Sequence, residues 1–310
     1  MSSYFLTGTT GAIGGWVVKN LVEDGHTVYA LVLHEDELQR LQLIMKEEDI
    51  AKINVIVGDI TNTALIREAV KLSGAEKIIH LAGLQLPLVR ANPPLGARVN
   101  VEGTINIFEA AKAAGIKQVV YASSTAVYGE TSDYENGVFD HASALLPKSL
   151  YGVFKMDNEW AAKVYYQEQG ISSIGLRPFV VYGPLRDQGM TSTPTTAIKA
   201  ALKQERYEIS YGGAAEFQFT DDTAQAFIAA ADATFEGAEV YNLGGGTVSM
   251  EEIVRTIEEV IPSAKGLITY VDTPLPFPQH QDTQELEKVI GTIQRTPLVE
   301  GIRRSVEYFT

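Results

Sequence analysis

The chain of 310 residues predicts an α/β fold, a doubly wound parallel sheet with a smaller C-terminal α/β substrate domain. Three observations predict it. Short apolar runs alternate with amphipathic helical segments through about residue 180. A glycine triplet fills the first strand-to-helix turn. After Pro184 the rhythm changes to helices separated by very short strands and a proline cluster. Alternation of this kind implies parallel strands joined by crossover helices.

Residues 3–7 read as a buried strand, followed by Gly8, Gly11 and Gly14 and an amphipathic helix to about Glu23. Gly25 closes that helix, and 28–33 reads as the second strand. In such a turn the first glycine permits the tight bend. The second lets the backbone approach a pyrophosphate, and the third lets helix and strand pack closely. Free N–H groups at the helix start favour phosphate charge. The context therefore predicts dinucleotide binding on a Rossmann-type sheet. Further strands are expected near 53–57, 77–81, 117–123 and 172–177. Gly8, Ser124 and Phe179 fall just after strands, at the edge where such sheets bind ligands.

Residues 1–180 form the expected dinucleotide-binding domain. Residues 215–245 return to it through a helix near 221–235 and a strand near 239–243. Residues 181–214 and 246–310 form the expected substrate domain, with helices near 194–204 and 250–261 and strands near 207–211 and 267–271. The segment PLPFPQ (274–279) reads as irregular. A cleft between the two parts is the expected active site.

Composition narrows the function. A hydrophobic fraction of 45% and a charged fraction of 21% are ordinary for a soluble globular protein. No apolar run reaches the roughly 18 residues of a membrane span. Residues 2–7 read as the first strand, not as a leader. The absence of cysteine excludes disulfides and fits a reducing, cytoplasmic location. A net charge of −14 argues against nucleic-acid and anionic-membrane partners. The histidines at 26, 34, 80, 141 and 280 show no metal-ligand spacing, so no metal is expected. His80, inside an apolar strand, reads as a core histidine.

The chemistry is carried by YGVFK (151–155), with SSTAVYG (123–129) upstream. Tyr151 and Lys155 share a helix face. An ammonium one turn from a phenol favours the phenolate and lowers the phenol pKa. A phenol tuned that way exchanges a hydroxyl proton near neutral pH, and a serine hydroxyl can hold the substrate oxygen.

At this point the chain resembles a known family. TGTTGAIG (7–14) is similar to the TGxxGxxG fingerprint of the short-chain dehydrogenase/reductase superfamily, in its extended branch, the NAD-dependent epimerase/dehydratase family. GDI (58–60), HLAG (80–83), NVEGTINIFEAAKAAGIKQVVYASSTAVYG (100–129), YGVFK (151–155), LRPFVVYGP (176–184) and YNLGG (241–245) follow in the family's order. The resemblance implies that Gly8, Gly11 and Gly14 cradle the pyrophosphate, with Ala12 and Ile13 as backbone contacts. Asp59 and Ile60 would touch the adenine, although Asp59 could simply cap a turn. Leu81, Ala82 and Gly83 would pass under the cofactor. Asn100 would support the active site, or cap a helix. Ser124, Tyr151 and Lys155 would be the catalytic set, Lys155 also holding the nicotinamide ribose. Pro178, Phe179 and Val180 would lie beside the nicotinamide.

Val32 occupies the position that is usually acidic for NAD, and Leu33 the common arginine position for NADP. Glu35, Asp36 and Glu37 follow and would repel a 2′-phosphate, whereas a protonated His34 would do the opposite. NAD is the reading, with NADP left open.

Departures from the family pattern bear on the substrate. Val180 stands where sugar-nucleotide enzymes usually place Asn. Ala215 and Glu216 stand where an arginine would clamp a diphosphate, and Glu216 would repel one. Thr125 and Ala126 replace the Asp-Glu pair of 4,6-dehydratases, and the cysteine of two-base epimerases is missing. These features favour an oxidoreductase moving hydride at a secondary alcohol or ketone on a small molecule without a diphosphate tail. The alternative is an epimerase using transient oxidation on a sugar nucleotide held by groups such as Arg186 or Lys199. A non-catalytic dinucleotide-sensing regulator is a further alternative, opposed by the intact Ser124, Tyr151 and Lys155. The resemblance also implies a homodimer through a four-helix bundle of helices near 101–114 and 152–168, with Phe154, Trp160, Val164 and Tyr165 supplying apolar surface. Residues 84–98 and 185–195, with Arg90, Arg98 and Arg186, are expected to line the substrate pocket.

Overall fold

The computed structural model describes residues 1–134, 139–277 and 279–310. Its strands are β1 (Ser3–Thr7), β2 (Thr27–Val32), β3 (Asn54–Val57), β4 (Lys77–His80), β5 (Gln118–Ala122), β6 (Ser172–Pro178), β7 (Val180–Tyr182), β8 (Tyr207–Ile209), β9 (Ala214–Phe219), β10 (Ala238–Leu243), β11 (Thr247–Ser249) and β12 (Ile268–Tyr270). Seven of them form one sheet in the order β10-β6-β5-β4-β1-β2-β3. All its pairings are parallel. The chain runs outward from β1 to β3 and then returns to β4 on the other side of β1. The crevice beyond the β1 and β4 carboxyl ends is therefore the topological switch point.

Helices cover both faces. On one face Trp16 and Leu21 of the helix Ala12–Glu23 pack with Phe227 of the helix Thr220–Asp232. On the other, Ile66, Phe108 and Ala162 bring in the helices Thr63–Ser73, Gly103–Ala114 and Leu150–Gln169. Apolar strand faces flanked by such stripes bury both sides of the sheet, as parallel sheets require.

A second core gathers Ile198, Phe217, Ile257 and Ile302 from the helix Thr193–Leu202, β9, and the helices Met250–Val260 and Leu298–Phe309. It contains a three-stranded sheet, β11-β9-β7, and a two-stranded one, β12-β8. The sequence reading groups 215–245 with the large sheet, but the structure divides that stretch. Residues 215–219 pair with β7 and β11, and the return to the large sheet starts at the helix Thr220–Asp232. In the proline cluster at 274–279, residue 278 lies outside the described residues. Among the described residues no helix is long and apolar enough to cross a membrane.

Candidate active site

Tyr151 and Lys155 stand near the start of the helix Leu150–Gln169. Ser149 caps that helix, its Oγ accepting from the Gly152 N–H at 3.1 Å. Gly152 presses the first turn onto the segment after β5, because a Cβ there would lie 2.1 Å from the Ala126 carbonyl oxygen. The contact seats Tyr151 beside the short turn Thr125–Val127 that follows Ser124. Ser124, Tyr151 and Lys155 consequently line one cavity. Pro178 and Phe179 at the end of β6, Leu81 and Gly83 after β4, and Ala12 and Ile13 complete one side of it. A second cavity shares Ala12, Gln85 and Arg186 with the first and has Thr10 and Gly11 in its wall.

Electrostatics departs from the expectation based on spacing. Burial pushes the Tyr151 phenol up from 10.0, and the nearby Ser124 hydroxyl and the charge of Arg186 pull it back. Lys155 stands over the Tyr151 ring but makes no hydrogen bond to the phenol. Its Nζ donates to the Ala122 carbonyl at 2.6 Å and lies 5.9 Å from the Tyr151 ring centroid. Burial also pushes the Lys155 ammonium down to about 8, against the opposing pull of Glu159. An ammonium so weakened and committed to a carbonyl favours the phenolate less than the i, i+4 spacing suggests.

The glycine turn is built for close approach. Gly8 has φ 69° and closes the turn after β1. A Cβ on Gly14 would sit 2.0 Å from the Gly8 carbonyl oxygen, so helix and turn meet only with glycine there. Gly11 caps the helix Ala12–Glu23 without any side-chain bond, so no side chain competes for the first-turn N–H groups. Val32 is buried at the end of β2, and Leu33 beside it is exposed. Glu35, Asp36 and Glu37 open the following helical turn, and Glu37 lines the second cavity.

The other expected cofactor residues sit at the same sheet edge in varied states. Asp59 Oδ1 accepts from the Thr61 N–H and hydroxyl, both at 2.9 Å, and so caps its own turn. Ile60 is buried, and its carbonyl accepts from Asn106 Nδ2 at 2.9 Å. The Ala82 N–H donates to Thr7 Oγ1 at 3.1 Å, tying the segment after β4 to β1. Asn100 is buried in the irregular turn Arg98–Glu102. It accepts from the Leu84 N–H at 2.7 Å and donates to the Leu84 carbonyl at 2.9 Å, pinning the cavity's edge instead of capping a helix. His80 is buried between Thr7 Oγ1 at 2.7 Å and Thr104 Oγ1 at 3.0 Å, and burial pushes it down to about 3, so it stays neutral.

Three expectations are corrected. Val180 does not line either cavity; it packs in the second core, while Val181 takes the cavity position, as alternation along β7 requires. Glu216 lines neither cavity. Its buried carboxylate accepts from the Gly246 N–H at 2.7 Å and Thr247 Oγ1 at 2.8 Å, and lies 2.9 Å from His280 Nδ1. From 84–98 and 185–195, Gln85, Leu86, Arg186, Met190 and Thr191 line the main cavity, but Arg90 and Arg98 do not. Phe277 also lines it, a residue that its irregular, proline-rich surroundings did not signal.

The profile of the NAD dependent epimerase/dehydratase family matches residues 4–244. The chain belongs to that family. A UDP-glucose 4-epimerase of Mycolicibacterium smegmatis is 29% identical over 98% of this chain and 97% of that protein. A UDP-glucuronate 4-epimerase of Thermodesulfobacterium geofontis is 26% identical over 99% of this chain and 96% of its own length. Among solved structures, MoeE5 in complex with UDP-glucose and NAD matches with a TM-score of 0.81 at 27% identity, covering 99% of this chain and 98% of that one. An L-threonine dehydrogenase from Clostridium difficile matches with a TM-score of 0.84 at 22% identity, a likeness that concerns the fold alone.

Like the rest of the epimerase/dehydratase family, this member is an NAD-dependent enzyme of the extended short-chain dehydrogenase type. The residues present fit the cofactor. The Gly8 and Gly14 cradle admits a backbone-hugging pyrophosphate, the uncapped helix start supplies donors, and the acids at 35–37 disfavour a 2′-phosphate.

Proposed function

We propose that the chain is an NAD-dependent epimerase that inverts a secondary carbinol of a sugar-like substrate by transient oxidation. One observation carries the reading: Ser124, Tyr151 and Lys155 line a single cavity with Phe179, next to the glycine turn. The curated relatives favour this over net oxidation, being UDP-sugar 4-epimerases. The repulsion argument against a sugar nucleotide lapses, because Glu216 is bonded within the small sheet and its neighbouring strand.

NAD, when bound beside Phe179 and the glycine turn, would supply a hydride acceptor and afterwards a hydride donor. In its phenolate form, which Ser124 and the charge of Arg186 favour against burial, Tyr151 Oη would take the carbinol proton as the C–H bond breaks and return that proton when the C–H bond re-forms on the opposite face. Ser124 Oγ steadies the oxygen through both steps. Lys155 supplies positive charge beside the phenol and the ribose. Leu86, Phe179, Met190 and Phe277 give the cavity apolar walls, against which a flat ketone can turn over. No net redox change results.

Incubation with UDP-glucose and with UDP-glucuronic acid, followed by proton NMR of the anomeric region, tests this. The expected result is a second sugar nucleotide without net growth of absorbance at 340 nm. Stoichiometric NADH with no epimer would sink the epimerase and favour a dehydrogenase acting on a substrate without a diphosphate. The lack of cysteine is consistent with a reducing, cytoplasmic setting.

We also propose a homodimer. Trp160 and Val164, four residues apart on the helix Leu150–Gln169, are 57% and 45% exposed. Tyr165 is engaged within its own chain, stacked on Phe108 with ring centroids 4.9 Å apart. Light scattering is expected to give twice the chain mass, and Trp160→Glu to halve it. A monomer mass for the unmodified protein rejects the dimer.

A further inference from the structure

We propose that Arg186 is the receptor for an oxyanion carried by the substrate, a carboxylate or phosphoryl group close to the carbinol that Tyr151 serves. The inference rests on the reading of the cavity given above and deepens it.

The chain carries a net charge of −14, yet no Asp or Glu lines the main cavity, whose charged members are Lys155 and Arg186. Lys155 has its work beside Tyr151. Arg186 has none that the protein itself satisfies. Its Nη1 donates to Gln85 Oε1 at 3.2 Å and its Nη2 to Thr191 Oγ1 at 3.0 Å, both neutral acceptors. Its Nε is buried without a partner. Among the described residues no carboxylate pairs with it, even though other arginines are paired: Arg40 with Asp187, Arg177 with Glu159 and Arg304 with Asp221. The adjacent carboxylate, Asp187, is thus already taken by Arg40.

The backbone places the guanidinium there deliberately. Leu185 has φ 70°, a left-handed conformation that a branched residue adopts only when its surroundings impose it. Its side chain is buried in the first core, and the turn aims the next residue into the cleft. Withdrawing a guanidinium from water without a counter-charge is costly. A planar oxyanion meeting its fork would remove that cost and fix the ligand's orientation.

Two sources could supply the oxyanion, because Arg186 also borders the second cavity, beside Gly11. The substrate is favoured over the cofactor pyrophosphate on two grounds. Arg186 lines the main cavity together with Ser124 and Tyr151, so it stands at the reacting end. The glycine turn already offers its own N–H donors to a pyrophosphate.

The test titrates acetate and inorganic phosphate into NADH-saturated protein by calorimetry. The expected result is binding of at least one anion, about tenfold weaker in Arg186→Gln and intermediate in Arg186→Lys, with NADH affinity preserved. The anion that binds more tightly names the acid class. Equal affinity in the unmodified protein and Arg186→Gln overturns the proposal, as does failure of both anions to bind. A loss of NADH affinity of about tenfold in Arg186→Gln assigns the guanidinium to the pyrophosphate and overturns it as well. Turnover plays no part in this test, so the epimerase reading can fail while the anion site stands.

Discussion

Replacing Tyr151 by Phe is expected to lower turnover about a thousandfold, within the range that a positioned proton donor and acceptor contributes. The geometry makes the substitution clean. Phe keeps the ring against the cavity wall and removes only the hydroxyl that Ser124 and Arg186 influence. Lys155 remains anchored on the Ala122 carbonyl, independent of the phenol. NAD affinity should therefore hold, since nothing at the glycine turn changes. An interaction made only in the transition state lowers kcat and kcat/KM together. Single-turnover kinetics with NAD titrated separately distinguishes this from a binding defect. A rate equal to that of the unmodified protein removes Tyr151 from the chemistry.

The direction of the Tyr151 shift marks a limit of reading from sequence. Spacing states which side chains share a face, and it placed Tyr151 and Lys155 correctly on one helix. It does not state how deeply each is buried, and burial outweighs the groups that pull the phenol back. The glycine turn was fully legible, because Gly8 and Gly14 answer local steric demands that any other residue violates. The strands β1 to β6 were legible as apolar runs of the required length. The small sheet was not. β7 and β11 span three residues each, too few for alternation to register, and their partner β9 comes from a distant part of the chain. Glu216 was misread for the same reason: its partners, Gly246, Thr247 and His280, come together only through tertiary structure. Arg186 was named among candidate substrate ligands, but that no carboxylate among the described residues pairs with it is visible only in the tertiary structure.

A pair that the sequence concealed entirely leads to the second large effect. Arg177 lies in β6 and Glu159 on the helix Leu150–Gln169, one turn beyond Lys155. Both side chains are almost wholly buried, and they meet through two bonds, Nε to Oε1 at 2.8 Å and Nη2 to Oε2 at 2.7 Å. The Ser123 hydroxyl donates to the same carboxylate, and Tyr128 Oη accepts from Arg177 Nη1 while donating to Asn242 Oδ1. Glu159→Ala leaves the Arg177 guanidinium charged and unpaired in the core. The expected cost is about 3–5 kcal/mol of folding stability, read from the shift in the guanidinium chloride midpoint. The active site should suffer separately, because Glu159 is the charge that opposes the downward shift of Lys155. Without it Lys155 falls below about 8, and as pH rises activity is lost at a lower pH than in the unmodified protein. Combining Glu159→Leu with Arg177→Met removes both charges and should recover most of the stability, since apolar replacement of a buried pair is often neutral. It should not recover the pH profile, because the Glu159 carboxylate that opposes the effect of burial on Lys155 is still missing. A midpoint unmoved in Glu159→Ala, or a double variant no more stable than the single one, contradicts the assignment of an uncompensated buried charge as the cause.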